Sequence, residues 1–295
     1  MPKARPTGPL CTRDSLAADL RTAGLRPGET VLVHSSLSAL GWVCGGAETV
    51  VLALLDVLGE DGTLVVPAHS GGNSDPAEWS NPPVPEAWQP QIRASLPAYD
   101  PRTTATLGVG VIPEVVRNWP GAVRSAHPQT SFAAVGPRAT QLTDGHALDC
   151  RLGEHSPLAR LEEAGARVLL LGAGFDSCTA FHLAEYRIPG QQVGNSFAAM
   201  TPAGRRWTTV RDVPVSDDRF DELGAAFERE RPVERGTVGA AEARLFPLAD
   251  AVAYAGTWLA EHRTPAAVRT RRGVSDGPGT SAGPGLRRHT PCFRS

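Results

Sequence analysis

The chain has 295 residues, of which 41% are hydrophobic and 20% are charged, and its net charge is -2. This composition suffices for a large buried core in one large or two small domains, and it excludes disorder for most of the chain. The apolar runs are far shorter than a membrane span and the N-terminus lacks a signal-peptide core, so the sequence predicts a soluble, cytoplasmic protein. The five cysteines form no C-x-x-C pair, which indicates neither a disulfide framework nor a metal site.

The charge is distributed unevenly along the chain. Residues 263–295 hold seven Arg and one Asp, a charge of +6, so residues 1–262 carry a charge of -8. An acidic body disfavours nucleic acid and favours encounters with cationic small molecules, although the charge could also serve solubility alone. Because residues 263–295 are also rich in Gly and Pro, we predict one compact domain over 1–262 and a basic, disordered tail.

Helices and strands alternate along the predicted domain, which is typical of an α/β fold. The first predicted elements are a helix capped by Thr12 and ending near Gly24, a strand that ends at HSSL, and a helix over 47–58. Further strands are predicted over 63–67, 131–135 and 167–171. Further helices are predicted over 111–119, 156–163, about 178–186 and 248–262. The strand over 167–171 runs through a Gly-Ala-Gly turn into a helix, a junction that often displays catalytic groups.

A long loop is predicted over residues 69–103. It is rich in Pro, Gly and Ser, shows no sustained periodicity, and interleaves aromatic with acidic side chains. Loops of this length in a compact domain are usually lids or binding loops.

The first candidate site is the run His34-Ser35-Ser36-Leu37, which follows a predicted strand and precedes several glycines. Its amides and hydroxyls, followed by a helix N-terminus, could hold a pyrophosphate. The run matches neither the P-loop nor the dinucleotide-binding pattern, so an ordinary strand-ending turn is the alternative.

The second candidate site lies in DPRTTATLGVGVIPE, before another predicted helix. Here Arg102, Thr103, Thr104 and Gly108 offer one cation, hydroxyls and a flexible backbone to the phosphates of an anionic cofactor. The alternative is a helix N-terminus capped by its own threonines.

The third candidate site is GFDSCTAFHLAEYR. On a helix, His182 and Glu185 share a face with Cys178, and a carboxylate beside an imidazole orients it as a general base. Two alternatives remain: a histidine packed on the core with Glu in solvent, and a thiol amidohydrolase in which Cys178 is the nucleophile and His182 its base. A fourth candidate, His127 in HPQTSFAAVG, is either a second functional group or a loop histidine bonded to backbone.

Together, six ordered segments resemble the aminoglycoside 3-N-acetyltransferase family, also called the antibiotic N-acetyltransferase family. The matching segments, within residues 13–262, are VLVHSSLSALGWVCGG, GTLVVPAHSGGNSDPAEWSNPPVP, DPRTT…GVIPEVVR, HPQTSFAAVG, LLLGAGFDSCTAFHLAEYR and VGAAEARLF. The order of six motifs is far more specific than any single motif. The tail beyond residue 262 extends past the family pattern.

The resemblance implies transfer of acetyl from acetyl-CoA to the 3-amino group of a 2-deoxystreptamine aminoglycoside by direct attack, which would confer antibiotic resistance without a metal. His182 would be the base and Glu185 its partner. The HSSL run and the segment from Arg102 to Gly108 would hold CoA. Residues assigned to the substrate are Asp75, Glu78, Trp79, His127 and Asp176.

The fold that we expect is a single α/β domain, a three-layer αβα sandwich with a mixed sheet. It is distinct from the common acyltransferase fold, whose R/Q-x-x-G-x-G/A loop does not stand out in this sequence. We expect a monomer or homodimer that binds neither nucleic acid nor membrane. A non-catalytic protein that binds CoA or sequesters the antibiotic is a further possibility.

Overall fold

The computed structural model describes residues 8–263. Of the predicted tail, only Arg263 falls within this range, directly after the last helix, and the prediction of disorder for the remainder lies outside the described residues. Within residues 8–263, no helix combines the length and the apolar character that crossing a membrane requires.

The described residues form the following elements. The helices are α1 Arg13–Thr22, α2 Gly46–Leu58, α3 Gln89–Ser95, α4 Val111–Arg117, α5 Ala139–Thr143, α6 Pro157–Glu163, α7 Ala180–Arg187, α8 Phe220–Glu230 and α9 Leu248–His262. The strands are β1 Leu10–Cys11, β2 Thr30–Ser35, β3 Trp42–Val43, β4 Thr63–Pro67, β5 Val123–Arg124, β6 Phe132–Val135, β7 Arg167–Leu171, β8 Val193–Thr201, β9 Gly204–Asp212, β10 Glu234–Val238 and β11 Ala241–Pro247.

A seven-stranded sheet forms the centre of the fold, with strand order β10-β11-β7-β2-β4-β6-β5. Strand β2 pairs in parallel with both β4 and β7, whereas β6 is antiparallel to β4 and β11 is antiparallel to β7. The predicted mixed sheet is therefore confirmed.

Helices cover both faces of this sheet. Successive residues of a strand point to opposite faces, and on β2 Val31 and Val33 pack with α1, α2 and α4, while Leu32 packs with α5 to α9. Because β2, β4 and β7 are buried on both faces, each contains an unbroken apolar run, 31–33, 64–66 and 168–171, instead of an alternating pattern. The predicted three-layer αβα sandwich is confirmed.

Local signals account for several element boundaries. Thr12 and Ser15 cap the start of α1 reciprocally: the Thr12 side chain accepts a hydrogen bond from the Ser15 amide, and the Ser15 hydroxyl accepts one from the Thr12 amide. Helix α1 therefore begins at Arg13, directly after Thr12. The Ser156 hydroxyl accepts from the Leu158 amide and caps α6, with proline at its first position. Helix α7, by contrast, begins at Ala180 instead of residue 178, so Cys178 lies in the turn before it.

The segment over 69–103, predicted as a loop, contains α3 and two short 3₁₀ turns, Pro76–Glu78 and Glu86–Trp88. The Asn73 amide exchanges two hydrogen bonds of 2.9 Å with the backbone of Ala198 on β8. The Asp75 carboxylate pairs with Arg93 of α3 at 2.6 Å. These contacts fix the loop against the β8–β9 hairpin, which lies outside the central sheet.

Candidate active site

A large cleft opens where β2, β4 and β7 end. These strands run in parallel, and the residues that follow them converge at one edge of the sheet, where ligands bind in many α/β proteins. The cleft has a volume of about 1220 Å³. Of the residues predicted from sequence, those that line it are His34, Ser35, Ser36, Leu37, Glu78, Trp79, Gly108, Asp176 and His182.

His182 stands on the first turn of α7 and is held by Glu185, one turn further on. Nδ1 of His182 lies 2.6 Å from Oε2 of Glu185, and the two side chains are 13% and 4% exposed. A carboxylate only accepts, so Nδ1 carries the proton and the lone pair resides on Nε2. A ring held in this tautomer at a cleft wall is suited to take a proton from a ligand.

Glu185 is almost completely enclosed. Its Oε1 accepts from the Ser216 amide at 3.1 Å and from the Arg263 guanidinium. Burial opposes the charged form, but the charge and hydrogen bond of His182, and then those of Arg263, hold the pKa of Glu185 below its usual range. Glu185 is therefore a buried carboxylate stabilised by the imidazole of His182 and the guanidinium of Arg263, which corrects the alternative that placed it in solvent.

Two further histidines lie beside the cleft. His34 is at the end of β2, with Nε2 3.3 Å from the Thr179 hydroxyl, and His69 follows β4. Burial, reinforced by the neighbouring His182, lowers the pKa of His34 and of His69 to about 3. Both rings are neutral at physiological pH.

These neutral histidines predict that the protein loses stability in acid. Their pKa values in the folded state lie below the ordinary 6.5, so the unfolded chain binds more protons as pH falls from about 6.5 toward 3. Each histidine then reduces the free energy of unfolding by about 1.4 kcal/mol per pH unit. Urea unfolding at pH 7 and pH 5 measures the loss; equal stability at the two values would contradict it.

His127 does not line the cleft. It is fully buried, its Nδ1 accepts from the amides of Gln129 and Thr130 at 3.2 Å, and its Nε2 lies 3.3 Å from the Leu148 carbonyl. Gln129 and Thr130 themselves line the cleft. This geometry weakens the prediction that His127 contacts the substrate directly and favours the alternative of a loop histidine bonded to backbone.

The segment predicted to hold CoA phosphates is only partly at the cleft. Asp100 forms a turn with this segment, accepting from the amides of Thr103 and Thr104 through its carbonyl, and its carboxylate pairs with Arg102 at 3.2 Å. Gly108 lines the cleft, whereas Arg102, Thr103 and Thr104 lie outside its lining. The side-chain hydrogen bonds of Arg102 and Thr104 stay within the turn, which weakens the prediction that these residues contact phosphate.

The acidic loop contributes Glu78 and Trp79 to the cleft, but Asp75 is neutralised by Arg93 and lies outside the lining. Burial and the charge of Asp75 raise the pKa of Glu78. Burial and the neighbouring Asp221 likewise raise the pKa of Asp176. A cationic ligand would stabilise the charged form of both carboxylates, which burial and the neighbouring acidic groups disfavour.

Several cleft residues were not predicted from sequence, among them His69, Thr179, Arg151, Asn195 and Asp217. The sequence does offer a pattern for His69, because it lies near the end of an apolar strand, as His34 does. Its Nε2 and the Ser35 hydroxyl are buried without a hydrogen-bond partner among the described residues. Such atoms gain from a ligand that bonds to them.

Cys178 is unsuited to the nucleophilic role considered from sequence. Its side chain is fully buried, and burial raises the pKa of the thiol to about 12. The reactive form is the thiolate, which is scarce at neutral pH in this environment. The structure therefore contradicts the thiol amidohydrolase alternative.

A mixed αβα sandwich with a carboxylate-bound histidine at the strand ends is an arrangement suited to an α/β enzyme. Residues 32–260 match the family described as aminoglycoside 3-N-acetyltransferase, and the chain belongs to this family.

Relatives with known structures or curated names agree with this. YokD of Bacillus subtilis, described as a prophage-derived aminoglycoside N(3')-acetyltransferase-like protein, is 48% identical over 84% of this chain and 92% of its own. Its crystal structure superposes with a TM-score of 0.85 over 87% of this chain and 96% of that one. Aminoglycoside N(3)-acetyltransferase VIII of Streptomyces fradiae is 42% identical over 86% and 93% of the two chains. A structure described as AAC-IIIb binary with CoASH is 33% identical, with a TM-score of 0.76 over 87% and 100%.

Proposed function

We propose that this protein transfers the acetyl group of acetyl-CoA to the 3-amino group of a 2-deoxystreptamine aminoglycoside, and so confers resistance to that antibiotic. The observation that carries the proposal is the His182–Glu185 pair at the wall of a large acidic cleft, in a chain of this family. Relatives named as aminoglycoside N(3)-acetyltransferases support the substrate, and the relative with CoASH supports the donor.

The reaction needs a base because an aminoglycoside amine is mostly protonated at neutral pH. Nε2 of His182 takes a proton, the freed nitrogen attacks the thioester carbonyl carbon, and the carbon–sulfur bond breaks as the thiolate of CoA leaves. The attacking nitrogen gives up a second proton as the amide forms, so of the two protons that the ammonium group loses, one ends on the thiolate of CoA and the other in solvent. Glu185 holds the imidazole in the required tautomer and stabilises the imidazolium that forms.

The two substrates would approach from different sides of the cleft. Glu78 and Asp176 would accept hydrogen bonds from ammonium groups, and charge assistance makes such bonds roughly twice as strong as neutral ones. Trp79 would pack on the sugar rings. On the donor side, the backbone and hydroxyls of Ser35 and Ser36, with Gly108, would contact CoA; the unpartnered Ser35 hydroxyl fits a ligand at this position.

The direct test is the release of free CoA thiol from acetyl-CoA in the presence of a panel of 2-deoxystreptamine aminoglycosides. We expect release only with an acceptor, and none when the acceptor's 3-amino group is already acetylated. Binding of the antibiotic without thiol release would show a sequestering protein instead. Release without an acceptor would indicate a hydrolase.

The proposal extends to the setting of the reaction. We place it in the cytoplasm, where acetyl-CoA is made, with a monomer or homodimer as the active form and without nucleic acid or membrane as partners. The acidic body, at -8 over residues 1–262, supports a cationic small-molecule substrate over nucleic acid. Light scattering during size-exclusion chromatography measures the oligomeric state.

A further inference from the structure

The carboxylate that orients the base of the proposed reaction has a further partner in Arg263. Arg263, directly after α9, donates from one guanidinium nitrogen to Oε1 of Glu185. Its other terminal nitrogen donates to the carbonyls of Ser216 and Asp218, the latter at 3.1 Å. The guanidinium carbon lies 5.6 Å from the centre of the Phe220 ring, which is itself 4.8 Å from the imidazole of His182.

These contacts divide the carboxylate of Glu185 between an imidazole and a guanidinium. Oε2 serves His182, while Oε1 serves Arg263 and the Ser216 amide. The Arg263 side chain is 26% exposed and that of Glu185 is 4% exposed, so the pair is only partly screened by solvent. A carboxylate neutralised by a fixed guanidinium attracts a proton on the imidazole less strongly than one that is unpaired.

We propose that Arg263 is a positioning residue for the catalytic base: it fixes the Glu185 carboxylate and limits the charge that Glu185 presents to His182. The proposal rests on the proposed function for its kinetic consequence. It also assigns a role to a residue just beyond the matched family region, which ends at residue 260.

The remaining ionisable groups near His182 do not replace Arg263. His34 on β2 and His69 after β4 are neutral at physiological pH, because burial and the neighbouring His182 hold the pKa of each at about 3. Asp176 before α7 and Asp217 before α8 share the cleft with His182 and are acidic. Arg151 also lines the cleft, but its guanidinium pairs with the Asp212 carboxylate at 3.0 Å. Among these neighbours, Arg263 is therefore the cation that contacts Glu185.

The test is the Arg263→Gln variant of the full chain. Loss of the guanidinium leaves the full charge of Glu185 acting on His182 and stabilises the imidazolium. We expect the midpoint of the acidic limb of the kcat/KM profile to rise by about one pH unit. The same shift is expected in the imidazole titration of His182 followed by NMR, with the signal assigned from His182→Gln.

Two further variants separate charge from structure. Arg263→Lys keeps the cation and should show less than half of the shift, whereas Arg235→Gln removes an exposed arginine paired with Glu228 and should show none. A folded Arg263→Gln protein whose midpoint equals that of wild type overturns the proposal, as does an equal shift in Arg235→Gln. Because the NMR titration needs no turnover, a shifted imidazole in a protein without transferase activity would refute the proposed function alone.

Discussion

Replacing His182 with alanine is expected to lower kcat for acetyl transfer by about a hundredfold to ten-thousandfold, the usual contribution of a positioned general base. The imidazole lies at the cleft wall, its tautomer is set by Glu185, and its Nε2 has no hydrogen-bond partner among residues 8–263. Without it, the reaction depends on the small fraction of acceptor amine that is already deprotonated. We expect little change in KM for acetyl-CoA, because His182 is not assigned to CoA binding.

The profile of the remaining activity distinguishes a lost base from a damaged fold. As pH rises, more of the amine is deprotonated in solution, so the residual rate of His182→Ala should increase and part of the deficit should be recovered. His155→Ala is the matched control, since His155 is exposed and outside the cleft lining, and its rate should equal that of wild type. A His182→Ala protein with wild-type kcat would exclude His182 as the base.

Local signals in the sequence predicted much of the domain. The strands over 63–67 and 167–171 and the helix over 248–262 have the predicted bounds, because an apolar run between turn residues defines each of them. Over 193–247 the sequence analysis predicts no helix or strand. Strand β10 is polar because it forms the sheet edge, and β8 and β9 form a hairpin outside the sheet. Helix α8 does have apolar residues at helical spacing, Phe220, Leu223 and Phe227, and this pattern predicts a helix.

The candidate site was predicted in pieces but not as an arrangement. The sequence predicts His34 and His182 on separate segments. They lie close together because β2 pairs in parallel with β7, whose residues are 136 positions further along the chain. The enclosure of Glu185 by Ser216 and Arg263 also depends on tertiary packing, and the sequence carries no local sign of it. The same applies to Cys178, whose place in the turn before α7 buries a thiol that the sequence alone could assign to chemistry.

Phe227→Ala is expected to lower the free energy of unfolding by about 3–5 kcal/mol, a large part of the 5–15 kcal/mol of a typical domain. The side chain is fully buried. Its ring lies 5.2 Å from that of Phe246 on β11 and 6.4 Å from that of Phe181, the residue before His182 on α7. Truncation removes the aromatic contacts and leaves a cavity beneath the helix that carries the base, because the surrounding strand and helices can close it only partly.

Trp88→Ala provides a matched control for the loss of a large ring, since this side chain is 61% exposed and should change stability by less than about 0.5 kcal/mol. Urea unfolding at pH 7 measures both variants against wild type. The rings of Phe181, Phe227 and Phe246 pack beneath α7, so Phe227→Ala should also lose activity at a lower temperature than Trp88→Ala. At low temperature its kcat should remain near that of wild type. A Phe227→Ala cost below about 1 kcal/mol would show that the layer of α7, α8 and α9 repacks freely around the vacancy, contrary to the close packing of protein interiors.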